Sequence, residues 1–236
     1  MPKSDQVILG ENSSDLMSTN MKVLFISHVS IGENLYGAAQ SLVYLIRGLR
    51  ERGVEPYVIL PGDGSHLESL DPPVVYRYLP FNKWAKDRRG PIKRVLNTLS
   101  QPIFALLAAV WALIWRVDVV YTNSITTPVG ALAAFLIRKP HVLHIREFGW
   151  EDYRLHFDLG EAFSVRLLDR LSDRVIVISD ALKEKYLRYF PTAKMHRVYN
   201  LVSAEELEGE RGVPPEIADR KLHLAVIVGR VHPARG

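Results

Sequence analysis

Residues 117–146 read VDVVYTNSITTPVGALAAFLIRKPHVLHIR. Within them, 117–122 is a short apolar run rich in β-formers, 129–138 reads as helix, and 141–146 is a second β-rich run. Runs of that length and order predict strand, helix and strand. Such a βαβ unit places its two strands parallel, with the helix packed across them.

The alternation continues outward in both directions. Towards the N-terminus, residues 22–27 (KVLFIS) read as a buried strand, and a polar, glycine-containing loop spans 28–37. A helix is expected over 38–52, where Leu42, Leu45, Ile46 and Leu49 recur at helical spacing and Gly53 takes the left-handed stop position. Strands are expected at 57–60 and 74–79, followed by an apolar helix that ends near Trp115. Towards the C-terminus come a helix at 161–171, a strand at 174–178, a helix at 181–190 and a strand at 197–199. The expected fold class is therefore α/β, a Rossmann-like parallel sheet with helices on both faces.

In such sheets a ligand sits beyond the carboxyl ends of the strands. The residues just past each strand are His28 and Ser30, Asn123 and Ser124, Arg146 and Glu147, Ser179, and Asn200. That set is polar throughout, after runs that are nearly all apolar. Loops at a sheet end are polar in any protein, so the pattern alone leaves a binding site and ordinary solvated loops both open.

Composition narrows the classes. The 236 residues are 47% apolar and 24% charged, as a globular chain with a sizeable core requires. With no cysteine, disulfides and thiolate metal sites are excluded, and a reducing compartment, the cytoplasm, is expected. The eight histidines include no HExxH or similar pair and no acidic pair is spaced for a metal, so no metal is expected. Residues 1–20 are polar, lack a signal-peptide core and read as a disordered leader. Residues 203–221 are charged and carry Pro and Gly, as a linker would, and the apolar run at 223–228 opens a new strand. Residues 21–202 are therefore expected to form one domain and 222–236 to begin a second, truncated one.

The net charge is only +4, but Lys83, Lys86, Arg88, Arg89, Lys93 and Arg94 crowd one segment against Asp87 alone. Such a cluster attracts phosphate, or it is a solvated loop. Aromatic residues form no stacking platform around it, so nucleic acid is not expected as a partner. Downstream, 103–115 (IFALLAAVWALIW) is apolar on every face but shorter than a membrane span, and Ser100, Gln101 and Pro102 interrupt its extension. Two readings stand: a helix buried against the sheet, or docking on an anionic membrane surface. In the second, Lys83, Lys86, Arg88, Arg89, Lys93 and Arg94 meet lipid headgroups while Trp84, Phe104, Trp111 or Trp115 insert.

Motifs along the chain resemble family 4 of the GT-B glycosyltransferases. Residues 36–55, YGAAQSLVYLIRGLRERGVE, resemble that family's Gly-Gly-Ala helix entry, with Tyr36 in place of the first glycine and Gly37 and Ala38 matching. VDVVYTNS at 117–124, KPHVLHIREFGW at 139–150, DRVIVISDALKEKY at 173–186 and VYNLV at 198–202 resemble successive strand ends of its first domain. At 226–236, VIVGRVHPARG is similar to the family's V-G-R-L-x-P-x-K-G, with Arg230 matching and Arg235 at the lysine position. The resemblance implies the acceptor-side half of a two-domain enzyme and the opening of its donor domain.

By that resemblance, Gly37, Ala38, Asn123, Ser124, Arg146, Glu147, Ser179 and Asn200 line an acceptor cleft, and Arg230 and Arg235 bind the donor diphosphate. Arg146 stands where the family often has a histidine. It can meet a phosphate with Glu147 orienting it, or the two form a plain ion pair. The implied partners are a nucleotide-diphosphate sugar, which is substrate rather than cofactor, and a glycan or lipid-linked acceptor. The implied reaction transfers the sugar with retention of configuration, in polysaccharide or cell-envelope synthesis. The family's paired-glutamate motif lies beyond residue 236, so the chain alone is expected to be inactive. A non-catalytic ligand- or membrane-binding module is the alternative. The missing GxGxxG argues against a dinucleotide oxidoreductase.

Overall fold

The structure, a computed structural model, describes residues 20–33, 35, 37–86 and 90–200. The expected leader, the linker at 203–221, the strand at 222–236, and Arg88, Arg89, Arg230 and Arg235 lie outside those residues.

The chain opens with β1 (Met21–Ile26), α1 (Ala38–Arg50), β2 (Val54–Leu60), the short α2 (Ser65–Glu68) and β3 (Val75–Tyr78). Next come β4 (Ala85–Lys86), the long α3 (Pro91–Trp115), β5 (Val119–Thr122), α4 (Val129–Ile137) and β6 (His141–Ile145). The last third holds α5 (Trp150–Tyr153), β7 (His156–Phe157), α6 (Glu161–Leu171), β8 (Arg174–Val177), α7 (Asp180–Tyr186) and β9 (Met195–Arg197). Seven strands make one sheet in the order β3-β2-β1-β5-β6-β8-β9, and each neighbouring pair is parallel.

Both sheet faces are apolar, as a buried parallel sheet demands. Val23 and Phe25 with Val58 and Leu60 pack under Leu42, Val43 and Ile46 of α1. On the other face Leu24, Ile26, Ile59 and Val120 meet the alanines of α3 and α4, while Leu143, Ile145, Val175 and Val177 meet α6 and α7. Gly130 lets α4 press onto the sheet, because a Cβ there would lie 2.0 Å from Thr122 Oγ1.

The strand order runs outward from β1 to β3 and then restarts on the other side of β1 at β5. That reversal opens a crevice at the carboxyl ends of β1 and β5. The β1–α1 loop is tied to the β2–α2 loop there by Ile31 N–H to Asp63 O (2.7 Å) and His66 N–H to Ile31 O (3.1 Å).

The structure differs from the sequence expectation in several places. The last strand comes earlier, at Met195–Arg197. A small antiparallel ribbon, β4 with β7, joins segments that read as loop. And α3 runs unbroken through Ser100, Gln101 and Pro102, which the sequence reading takes as interrupting its upstream extension. Pro102 deprives the Thr98 carbonyl of its helical donor, but Asn97 and Gln101 on the preceding turn are anchored inward. Asn97 Nδ2 donates to Lys83 O (3.2 Å) and Asp158 Oδ2 (2.5 Å), and Gln101 Nε2 to Asn82 O (2.9 Å).

Candidate functional site

The strand-end residues around the crevice assemble into two layers. The lower layer is buried. His28, after β1, sends Nδ1–H to Asn123 O at 3.0 Å, which fixes its tautomer and leaves Nε2 as the bare nitrogen. That Nε2 lies 3.5 Å from Glu147 Oε1. Ser124 Oγ donates to the same Oε1 (2.9 Å) and accepts from Thr126 N–H (3.0 Å). Arg146 N–H donates to Glu147 Oε2 at 3.3 Å.

Burial sets the protonation of this layer. It lowers the His28 pKa to about 3, helped by the cations Lys83 and Arg146. Burial likewise raises Glu147 above the usual carboxylate range, against hydrogen bonds from Ser124 and backbone N–H groups and the charge of Lys83. Both shifts favour the neutral pair over an imidazolium–carboxylate ion pair, because a charge removed from water costs more than this contact returns.

Above it lies Arg146, half-buried at the end of β6. Its Nε donates to Asn123 Oδ1 (2.8 Å), Nη1 to Asn200 Oδ1 (2.5 Å), and Nη2 approaches His144 Nδ1 at 3.3 Å. Tyr121 O–H also donates to that Nδ1. His144 Nδ1 is thus an acceptor, and its buried Nε2–H finds no partner among the described residues. Burial, then the Arg146 charge, holds the His144 pKa at about 3. Asn123 reaches across to α1, Nδ2 donating to Ala38 O at 3.2 Å. Gly37, exposed at φ 50°, turns the chain into that helix.

Several expectations are corrected by this geometry. Asn123 and Ser124 do not face a cleft directly. Both are fully buried and act as the support beneath Arg146 and Glu147. Arg146 and Glu147 are not a simple ion pair, since their side chains diverge: the guanidinium goes to two asparagines and the carboxyl goes down to Ser124. Orientation of Arg146 by Glu147 is therefore replaced by orientation from Asn123 and Asn200. Ser179 caps α7 by accepting from Leu182 N–H at 3.2 Å, as its position before the helix predicts, and among the described residues makes no hydrogen bond to the Arg146 cluster.

His28, a strand-end candidate, belongs to the site, and so does His144, which lies within β6 rather than beyond it. His141 is structural, between Thr122 Oγ1 (2.8 Å) and Ser172 Oγ (2.9 Å). Lys83, expected at a membrane, bears electrostatically on His28 and Glu147. Trp84, expected to insert into lipid, is 2% exposed, with its indole N–H on Ile125 O at 3.0 Å. Its ring packs edge-on against Phe157, so it is core. Trp111 and Trp115 are partly buried against the sheet core, Trp115 stacking on Tyr57. Among the described residues no group of three His, Asp or Glu is gathered as metal ligands.

Among the described residues the upper surface thus offers the Arg146 guanidinium, held by neutral amides and with no carboxylate in hydrogen-bond contact. Such a cation can receive an anionic or hydroxyl-rich ligand.

The sequence model described as Glycosyltransferase Family 4 matches residues 36–206. Comparison with the curated proteins gave no match. Among solved structures, a glycosyltransferase from Rickettsia africae ESF-5 superposes with TM-score 0.53 at 13% identity, over 84% of this chain and 47% of that one. The apo lipopolysaccharide outer core galactosyltransferase WaaB gives TM-score 0.52 at 16% identity, over 78% and 46%. A sucrose-phosphate synthase structure from Thermosynechococcus elongatus gives 0.50 at 14% identity, over 79% and 93%. At these identities the likeness is one of fold. The chain spans about half the length of the first two structures.

Proposed function

The chain belongs to Glycosyltransferase Family 4, and from that premise we propose that it forms the acceptor-side domain of an enzyme that moves a sugar from a nucleotide-diphosphate donor to a glycan or lipid-linked acceptor. The observation that carries this reading is the position of Arg146. It stands at the carboxyl end of the sheet beside the strand-order reversal, fixed by Asn123 and Asn200 and flanked by the N-terminus of α1.

The chemistry asked of such a surface is modest. Sugar transfer from a nucleoside diphosphate develops negative charge on the leaving phosphate, and fixed cations and oriented dipoles stabilise it. Arg230 and Arg235, in the motif at 226–236, are our candidates for the diphosphate. Arg146 would hold the acceptor or a phosphate it carries. Asn123 and Asn200 keep its guanidinium in place before binding, so less order is lost when a ligand arrives. Beneath it, burial disfavours the charged form of Glu147 and so weakens a competing anion. Retention of configuration, a hexose donor, a cytoplasmic location and a role in polysaccharide or envelope synthesis complete the proposal.

The test is a transfer assay on the protein encoded by the complete reading frame, with a panel of nucleotide sugars and glycan or lipid-linked acceptors. Arg146→Ala is expected to lower kcat/KM by roughly 30- to 160-fold, the equivalent of one charge-assisted contact of about 2–3 kcal/mol. Turnover unchanged in that variant removes Arg146 from the site. Absence of transfer to every acceptor, together with nucleotide-sugar binding, favours a ligand-binding module instead.

A further inference from the structure

The helix α3 is packed inside out. Its buried residues are Ala105, Ala108, Ala109 and Ala112 with the polar Asn97 and Gln101. Its large aliphatic residues point the other way. Leu96, Leu99, Ile103, Leu106, Val110 and Leu113 are between 45% and 64% exposed. They recur at alternating steps of three and four, so they form one continuous stripe along the helix. At about 1.5 Å per residue the 25 residues extend roughly 37 Å. The helix is long and apolar enough to cross a membrane by length and composition, with a mean hydropathy of 1.7 over its best window. A soluble monomer rarely leaves a contiguous apolar surface of this extent in water.

We propose that this face of α3 docks on an anionic lipid surface, lying in its plane. Three observations choose lipid over a second helix. The stripe is wider than a two-helix seam, because Val95, Leu107 and Ile114 flank it and are also exposed, where a coiled coil places charged residues. No acidic residue occurs between Arg88 and Val117, whereas the ends carry exposed Lys93 and Arg116. At the C-terminal half, Arg77 lies over the Trp111 ring at 4.4 Å, adding a cation to that rim. A basic rim around an apolar face matches the headgroup and acyl layers of an anionic membrane.

The helix does not cross, because its inner side stays engaged. The alanines pack on α4, and Asn97 and Gln101 hold the 82–84 segment by the hydrogen bonds given above. Insertion therefore falls to the aliphatic stripe, not to the tryptophans. The same segment carries Lys83, whose charge acts on His28 and Glu147, so α3 joins the lipid-facing side to the crevice. The inference does not depend on sugar transfer.

Flotation of the full chain with phosphatidylcholine vesicles, with and without phosphatidylglycerol, tests it at low and high salt. Binding is expected to the anionic vesicles and to weaken severalfold when phosphatidylglycerol is omitted or salt is raised. Leu106→Asp is expected to reduce binding tenfold or more, and Lys93→Glu about fivefold or more. Both positions are exposed, and an unchanged Tm shows that each variant is folded. Binding that survives Leu106→Asp overturns the proposal, as does failure to float. A dimer in sedimentation equilibrium that Leu106→Asp dissolves, without flotation, assigns the face to a second copy instead.

Discussion

Ser124 shows how much of the site is decided beneath its surface. Its side chain is fully buried, yet its hydroxyl donates to Glu147 Oε1 at 2.9 Å and accepts from Thr126 N–H at 3.0 Å. Ser124→Ala removes the donor to Glu147 Oε1, the acceptor of Thr126 N–H and the contact with Thr126 Oγ1 at once, all of them buried. We expect a loss of about 1–3 kcal/mol in urea unfolding. A change below about 0.5 kcal/mol would show that water replaces the hydroxyl and that the layer is wetter than its burial indicates. The sequence placed Ser124 beyond a strand, and that much was legible. It could not tell a cleft-facing serine from a supporting one, because the difference lies in Glu147, which reaches Ser124 only through the β5–β6 pairing. Arg146 is similar: its partners Asn123 and Asn200 are 23 and 54 residues away. Ser179 was easier, since a cap contact spans three residues and is written locally.

At the scale of elements, α3 reverses the usual relation between side-chain size and burial. An amphipathic helix in a soluble domain buries its leucines, whereas α3 buries alanines so that it can lie close against α4. Stability measurements should reflect this. Ala108→Leu, fully buried against the sheet and α4, is expected to cost about 1–3 kcal/mol through overpacking. Leu106→Ala, 56% exposed, is expected to change stability by less than about 0.5 kcal/mol in solution. Costs in the opposite order would mean that the helix is rotated from its described orientation. The apolar run was plain in the sequence, but its orientation was not. Hydropathy treats Ala and Leu as the same kind of residue, and only close helix packing separates them. Trp84 misled for a related reason: an aromatic inside a basic segment reads as an interface, and its burial depends on Ile125 O, 41 residues away.

The whole molecule carries a record of its buried histidines in its pH dependence. His28, His141 and His144 are each held near a pKa of about 3, first by burial, against an ordinary value of 6.5. The charged groups around them are Lys83 and Arg146 at His28, Arg146 at His144, and Asp173 at His141, which opposes the shift. A depressed imidazole pKa means that the unfolded chain binds the proton first. The stabilisation is therefore complete above pH 6.5 and is lost as pH falls from there towards 3, by up to about 1.4 kcal/mol per pH unit for each imidazole. Glu147 acts in the other direction: its raised pKa favours the fold at low pH, and that contribution fades as pH rises through the folded value. The sum predicts a stability that climbs between pH 4 and 6.5 and then levels. Urea unfolding at a series of pH values measures the slope, and His141→Gln, which leaves the crevice untouched, should reduce it. His141 joins β5, β6 and the turn before β8, so the variant also lowers the plateau, and the slope is the diagnostic quantity. A flat profile across pH 4–6.5 would show that these histidines are reached by water and that the sheet's carboxyl end is looser than its packing implies.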